Sequence, residues 1–315
     1  MNDEDGRWLA AAAALAERAR PLSRPNPAVA AIIVKDGVVV GRGWTGEGGR
    51  PHAEAEALAQ AGARAPGAAA YVTLEPCAHR SERGPACADL LADAGLARIV
   101  VGVGDPDPRT AGAGIERLRA AGIDVELAEN EACRASLAGY LTRARIGRPF
   151  VTLKLALTSD GFIARSDGSS RWITGEAARA HAHRERARSD AILVGGGTLR
   201  TDSPRLDVRL PGLEQRSPRR LVLTRDAAPQ GWTALADPHA IHALGDVQYL
   251  MVEGGAQVAQ AFLAAGLVDR MLLYRAPVTF GEGIAAFPDG VPRGWQVADT
   301  RRLGNDTLEI LEPAR

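Results

Sequence analysis

Three residues in a fixed order carry the chemistry open to this chain: His52, Cys77 and Cys87, with Glu54 two positions after the histidine. Imidazole nitrogen and thiolate sulfur suit Zn²⁺ in tetrahedral coordination, and three protein ligands leave the fourth position open for water. A carboxylate beside such a site can move protons instead of holding metal. The outline is a hydrolytic zinc centre. Two plainer readings stand beside it. The three residues could be unrelated core and surface positions, or the zinc could be structural, with His79 as the nearby candidate for a fourth ligand.

Those residues need particular elements to hold them. Pro51 sets the first turn of a helix over 51–61, which puts His52 and Glu54 at a helix N-terminus where backbone N–H groups point at the site. Tyr71–Leu74 reads as a strand running into Glu75-Pro76-Cys77, with the Pro-Cys pair expected at a second helix start. Cys87 opens a helix over 88–94 closed by Gly95, and a helix N-terminus favours the thiolate. Before this centre the pattern gives a helix over 8–20 and a hairpin of 29–34 with 38–40 around Lys35-Asp36-Gly37. A flexible loop then holds Gly41, Gly43, Gly46, Gly48 and Gly49. After it come strands over 98–103 and 124–127 and helices over 114–121 and 131–145. Alternating strands and helices predict an α/β layer with helices on both faces. Ile146-Gly147-Arg148-Pro149 marks the boundary between domains at 1–146 and 147–315.

The second half predicts strands over 150–157, 191–194, 220–223, 249–252 and 271–276, with helices over 175–187 and 256–265. Two strands run into glycines, Gly195-Gly196-Gly197-Thr198 and Glu253-Gly254-Gly255, the second passing directly into a helix. Such turns let backbone N–H groups approach a phosphate. Neither matches G-x-G-x-x-G, so the dinucleotide fingerprint of a Rossmann fold is absent.

Composition narrows the partners. With 38 basic against 38 acidic residues the net charge is zero, which argues against a nucleic-acid partner, as does an aromatic content of 4%. No apolar run approaches a membrane span and the acidic start is no signal peptide, so a cytoplasmic protein without a membrane partner is expected. Three cysteines give no disulfide framework, and Cys133 reads as a small core or surface residue. The apolar segments 271–276 and 308–311 could pair between subunits, giving a homodimer or homotetramer.

Zinc deaminases share an H-x-E and P-C-x-x-C pattern in which the glutamate shuttles protons. Here Arg80 stands at the second-cysteine position and the next cysteine follows a longer loop. That loop is part of a wider resemblance. The words Asn26-Pro27-Ala28-Val29-Ala30, His52-Ala53-Glu54, Val72-Thr73-Leu74-Glu75-Pro76-Cys77, Pro85-Ala86-Cys87 and Asp105-Pro106-Asp107-Pro108 with Gly112 and Gly114 resemble the bifunctional riboflavin-biosynthesis deaminase and reductase family. In the second half the matching words are Val151-Thr152-Leu153-Lys154, Ser159-Asp160-Gly161, Ser170-Arg171-Trp172-Ile173-Thr174, Thr201-Asp202-Ser203-Pro204 and Val252-Glu253-Gly254-Gly255.

The resemblance implies a cytidine-deaminase-like three-layer domain followed by a dihydrofolate-reductase-like domain. It implies Zn²⁺ on His52, Cys77 and Cys87, Glu54 as the catalytic proton shuttle, and Asn26 and His79 on substrate. In the second domain it implies NADPH against Leu157, Trp172, Thr198, Asp202 and Gly255, and a pyrimidine ribosyl phosphate against Ser170, Leu206, Arg209 and Glu253. The stretch 224–248 is shorter than the family's, with a strand and a helix expected to be missing, and Arg225 stands where a small polar cofactor contact is expected. An alternative is therefore a deaminase whose reductase-like half has lost catalysis. Other classes to weigh are a nucleic-acid-editing deaminase and a zinc-stabilised nucleotide sensor.

Overall fold

The computed structural model describes residues 2–79, 84–170 and 172–314. Residues 80–83, the middle of the loop before Cys87, and Arg171 lie outside the described residues. The chain divides into two compact units, Met1–Gly147 and Arg148–Arg315.

The first unit opens with α1 (Asp3–Ala16), capped by Asn2, whose side chain accepts from the Asp5 N–H while the Asp5 carboxylate accepts from the Asn2 N–H. The following elements are β1 (Ala30–Lys35), β2 (Val38–Trp44), α2 (Ala53–Ala61), β3 (Ala69–Val72), α3 (Cys87–Asp93), β4 (Arg98–Val101), α4 (Ala113–Ala120), β5 (Asp124–Leu127), α5 (Glu131–Ser136) and α6 (Ala138–Ile146). The sheet runs β2-β1-β3-β4-β5, with β1 antiparallel to both neighbours and β3, β4 and β5 parallel. Ile33, Val72, Ile99 and Val101 fill its core, together with Leu9 from α1 and Leu91 from α3.

Three features of this unit differ from the sequence reading. Helix α1 starts five residues earlier than Trp8 and ends at Ala16, because the cap at Asn2 and the acidic first turn set its start. The predicted 131–145 helix is broken at buried Leu137 into α5 and α6. The glycines expected in a flexible loop are partly strand: Gly41 and Gly43 lie in β2. They are small because α2 lies directly on that strand. A Cβ at Gly41 would collide with the Ala57 carbonyl, and one at Gly43 with the Ala53 carbonyl. Cys133 is core, its thiol pushed up to about 12 by burial.

The second unit contains β6 (Phe150–Leu157), β7 (Phe162–Ala164), α7 (Glu176–Ala187), β8 (Ala191–Gly195), α8 (Gly196–Asp202), β9 (Arg219–Leu223), β10 (Thr233–Leu235), β11 (Tyr249–Glu253), α9 (Ala256–Ala264), β12 (Arg270–Arg275), β13 (Ile284–Ala285), β14 (Trp295–Leu303) and β15 (Asp306–Pro313). Its 8-stranded sheet runs β10-β9-β8-β11-β6-β12-β15-β14, and only β15 runs against the rest, antiparallel to both β12 and β14. Strands β8 and β11 are apolar on both faces, with Leu193, Leu250 and Val252 on one side and Ile192, Val194 and Met251 on the other, whereas β6 buries Val151 and Leu153 on one face and carries Thr152 and Lys154 on the other.

Here too the structure corrects expectations. Segments 271–276 and 308–311 are not free to pair between subunits: β12 sits between β6 and β15, and β15 between β12 and β14. Any self-association must use another surface. Both glycine turns, not one, pass into helices, α8 after Gly195 and α9 after Gly255. The short stretch after β9 keeps a strand, β10, and a short 3₁₀ helix at Pro238–Ala243.

The contact of α2 with β2 has a measurable signature. Gly43→Ala should lower the stability of the first unit by about 1–3 kcal/mol through overpacking. Gly6→Ala in α1, where a Cβ would meet nothing within 4 Å, should leave it unchanged or raise it by up to about 1 kcal/mol. Urea unfolding of the two variants checks the contrast.

Candidate active sites

In the first unit three chain segments converge. His52 is the N-cap of α2, Cys87 is the first residue of α3, and Cys77 lies in the extended segment that leaves β3. The helix start predicted for Pro76-Cys77 is therefore absent; Cys87 alone of the two cysteines occupies one. His52 Nδ1 is 3.2 Å from Cys87 Sγ and 3.7 Å from Cys77 Sγ, and the three ligand atoms lie within 4.8 Å of one another. A tetrahedral zinc ion at ordinary bond lengths holds its nitrogen and sulfur ligand atoms about 3.5 Å apart, so the donor set fits that ion in both chemistry and spacing.

The electrostatics favour a cation there. The hydrogen bond from Cys87, joined by those of His52 and the Cys87 N–H, outweighs burial and lowers the Cys77 thiol to about 4, while the same contact and burial push Cys87 up. The Cys87 N–H donates to Cys77 Sγ at 3.3 Å. Glu54, in the first turn of α2, is 4% exposed, and burial raises its carboxyl above the ordinary range, with Cys77 adding to the rise. A buried acid with a raised pKa can both take and return a proton near neutral pH. Asn26 Nδ2 sits 3.2 Å from His52 Nε2 and donates to the Gly49 carbonyl at 3.2 Å. His79 is half-buried, with Nδ1 3.5 Å from Thr110 Oγ1.

The second unit holds a cavity of about 940 Å³ at the ends of β6, β8, β9 and β11. Ser170, Trp172, Thr198, Asp202, Arg209, Glu253 and Gly255 all line it. Leu157 and Leu206 do not: Leu157 is 1% exposed in the main core, and Leu206, at φ 54, packs with Ile192, Val194 and Met251. Trp172 is 69% exposed, with the Arg179 guanidinium 5.0 Å above its ring. A Cβ at Gly197 or Gly255 would meet nothing within 4 Å, so main chain at both turns is open to a ligand. Arg225 is exposed and absent from the lining, which takes Thr224 and Asp226 instead.

Glu253 is committed to partners inside this cavity. Arg186 on α7 donates to its carboxylate through Nε at 2.6 Å and Nη2 at 2.9 Å, and Lys154 Nζ lies 3.6 Å away. Burial pushes Glu253 up, but Lys154 and Arg186 together more than offset it and hold the carboxyl at about 2. Arg209 donates through its main-chain N–H to His183 Nδ1, and its Nε lies 3.3 Å from His183 Nε2; burial lowers the pKa of this histidine.

The comparisons with known proteins fall on these two units. The model of the cytidine and deoxycytidylate deaminase zinc-binding region matches residues 2–103, and that of the RibD C-terminal domain matches 149–308. Riboflavin biosynthesis protein RibD of Escherichia coli is 38% identical over 90% of this chain and 92% of its own length. The chain belongs to the RibD family. RibD of Mycobacterium tuberculosis is 40% identical over 90% of each chain. Among solved structures, Acinetobacter baumannii RibD matches with a TM-score of 0.86 at 34% identity over 99% of both chains. A Thermotoga maritima diaminohydroxyphosphoribosylaminopyrimidine deaminase/5-amino-6-(5-phosphoribosylamino)uracil reductase matches with 0.87 at 29%, over 98% of this chain and 99% of that one. As a RibD protein, the chain is a bifunctional enzyme of riboflavin biosynthesis, with a zinc-binding deaminase domain and an NADPH-dependent reductase domain.

Reading by motif passed over three polar residues that line this cavity: Lys154, His183 and Arg186. Lys154 was inside a quoted word but had no role until β6 and β11 brought it beside Glu253. Arg186 had a detectable signal. It falls four residues after Ala182 and three after His183, both buried, so helical spacing sets an arginine on the inward face of α7.

The Glu253 cluster predicts an acid response of the second unit. Because folding depresses this pKa, its contribution is present above the unfolded value of 4.5 and is lost as pH falls towards about 2. Arg186→Met should cost about 3–5 kcal/mol by leaving the carboxylate underpaired, and should move the acid loss to higher pH. Urea unfolding across that pH range measures both effects.

Proposed function

We propose that His52 Nδ1, Cys77 Sγ and Cys87 Sγ hold the zinc ion and that Glu54 carries the proton, in a deaminase that replaces an amino group of 2,5-diamino-6-(5-phosphoribosylamino)pyrimidin-4-one with oxygen. The observation that carries this reading is the convergence of one imidazole and two sulfurs from three segments within 4.8 Å, beside the first turn of α2, which bears the buried Glu54. When bound, zinc supplies a Lewis acid that makes water a nucleophile near neutral pH. Glu54 carries one proton of the attacking water to the ring nitrogen, and then the second, from the hydroxyl left on the ring carbon, to the departing amine, which leaves as ammonia. Its raised pKa matches a group that must pass through both states. Asn26 orients the His52 ring through Nε2, and both Asn26 and His79 face the substrate.

The second unit then reduces the opened ribosyl chain to ribityl. NADPH supplies the hydride when bound. Trp172, Thr198, Asp202 and Gly255 hold the cofactor, with main chain at the two glycine turns next to its phosphates. Ser170 and Arg209 hold the sugar phosphate, a guanidinium being suited to phosphate oxygens. Glu253 acts on substrate as part of the ion cluster with Lys154 and Arg186, which orders the positive groups around the sugar. The partner is thus a small phosphorylated pyrimidine nucleoside, met in the cytoplasm. Among the described residues no helix is long and apolar enough to cross a membrane.

Supplying zinc-loaded protein with the diaminopyrimidinone and NADPH, and following ammonia and NADPH separately, tests both halves. Both signals are expected; ammonia without NADPH oxidation would defeat the reductase assignment. Glu54→Gln should keep its zinc, lose roughly 100-fold or more of ammonia release, and still oxidise NADPH with the deaminated compound. Retained ammonia release in that variant would remove Glu54 from the mechanism. Trp172→Ala should raise the KM for NADPH while leaving ammonia release unchanged.

A further inference from the structure

Glu75 stands two residues before Cys77, and its carboxylate accepts from main-chain donors of another segment. It is 4% exposed. One oxygen accepts from the N–H groups of Gly114 at 3.0 Å and Ile115 at 3.3 Å, and the other from Gly112 at 3.0 Å and Asp105 at 3.2 Å. These donors lie at both ends of the 105–115 turn and in the first turn of α4. The next residue, Pro76, presses its carbonyl against the same turn, where a Cβ on Gly114 would collide with it. Cys77 follows at once. Its own carbonyl accepts from the Ala88 N–H at 3.2 Å, so the ligand is fixed from both sides along the chain. The turn held by Glu75 also carries Thr110, 3.5 Å from His79 Nδ1.

We infer that Glu75 is a positioning residue for the deaminase centre: its carboxylate clamps the 105–115 turn and thereby sets where Cys77 and His79 stand. The inference rests on the zinc reading proposed above. A carboxylate is required because four converging N–H groups need four acceptor sites, which an amide does not offer. Replacing it by glutamine keeps the size and turns an NH₂ towards two of those donors. Loss of indirect support of this kind typically costs about 10–100-fold in metal affinity.

The test uses the full-length zinc-loaded protein and reads zinc affinity by competition with a chromophoric chelator. Glu75→Gln should bind zinc at least about tenfold more weakly and raise the KM for the pyrimidine, with NADPH oxidation unchanged. Glu75→Asp, which keeps the charge, should recover part of the affinity, and excess zinc should restore part of the ammonia release. Wild-type zinc affinity in Glu75→Gln would overturn the inference. So would loss of secondary structure in both variants that excess zinc does not reverse, since Glu75 would then be scaffold alone. A wild-type protein that holds zinc but releases no ammonia would defeat the deaminase reading, while the affinity comparison would still decide the part played by Glu75.

Discussion

Two sulfurs and a carboxylate crowded into a dry space beside one imidazole repel one another once ionised, and the first unit is arranged around that repulsion. Taking a thiolate out of water is costly unless a positive charge meets it. Helix starts at His52 and Cys87 supply partial positive charge, and the Cys87 N–H is aimed at Cys77. The remaining negative charge calls for a cation. The three donor atoms stand at the spacing of a zinc ligand set, so the strain of assembling them becomes affinity for the ion.

The second unit solves the same problem with side chains. Glu253 is nearly as enclosed as Glu54, but Arg186 and Lys154 meet it directly, and its pKa falls where that of Glu54 rises. The difference divides the labour. A carboxyl whose pKa is raised by burial is suited to exchanging protons, whereas one fixed as an anion can only orient the cations around it. Two buried glutamates of one chain thus shift in opposite directions, and the neighbours of each decide which.

The zinc set was legible because its three parts together suit little besides a metal centre: His-x-Glu, then Pro-Cys, then a cysteine at a helix start. The strands of the second sheet were legible for a different reason, since those buried on both faces are continuous apolar runs. What was not legible depended on neighbours distant in the chain. The glycines of β2 read as loop because nothing local says that α2 will lie on them. Strand β14 escaped notice because most of its residues face solvent and its polar pattern has no clear alternation. Leu157 and Leu206 were matched by position to a ligand site, but their side chains face the core. Arg186 and Lys154 gained a role only when the fold set three separate segments around Glu253.

The strand order of the second sheet has a consequence for biosynthesis. Strand β6 is the first of its unit to be made, yet both its neighbours, β11 and β12, come about a hundred residues later, and β12 is covered only by β15 near the end of the chain. While the ribosome works through the intervening stretch, an apolar segment with two bare edges waits for partners that do not yet exist. The first unit closes its sheet within its own 147 residues and has no such wait. On the emerging polypeptide the metal-binding half can therefore be complete while the second half still exposes unpaired strand edges.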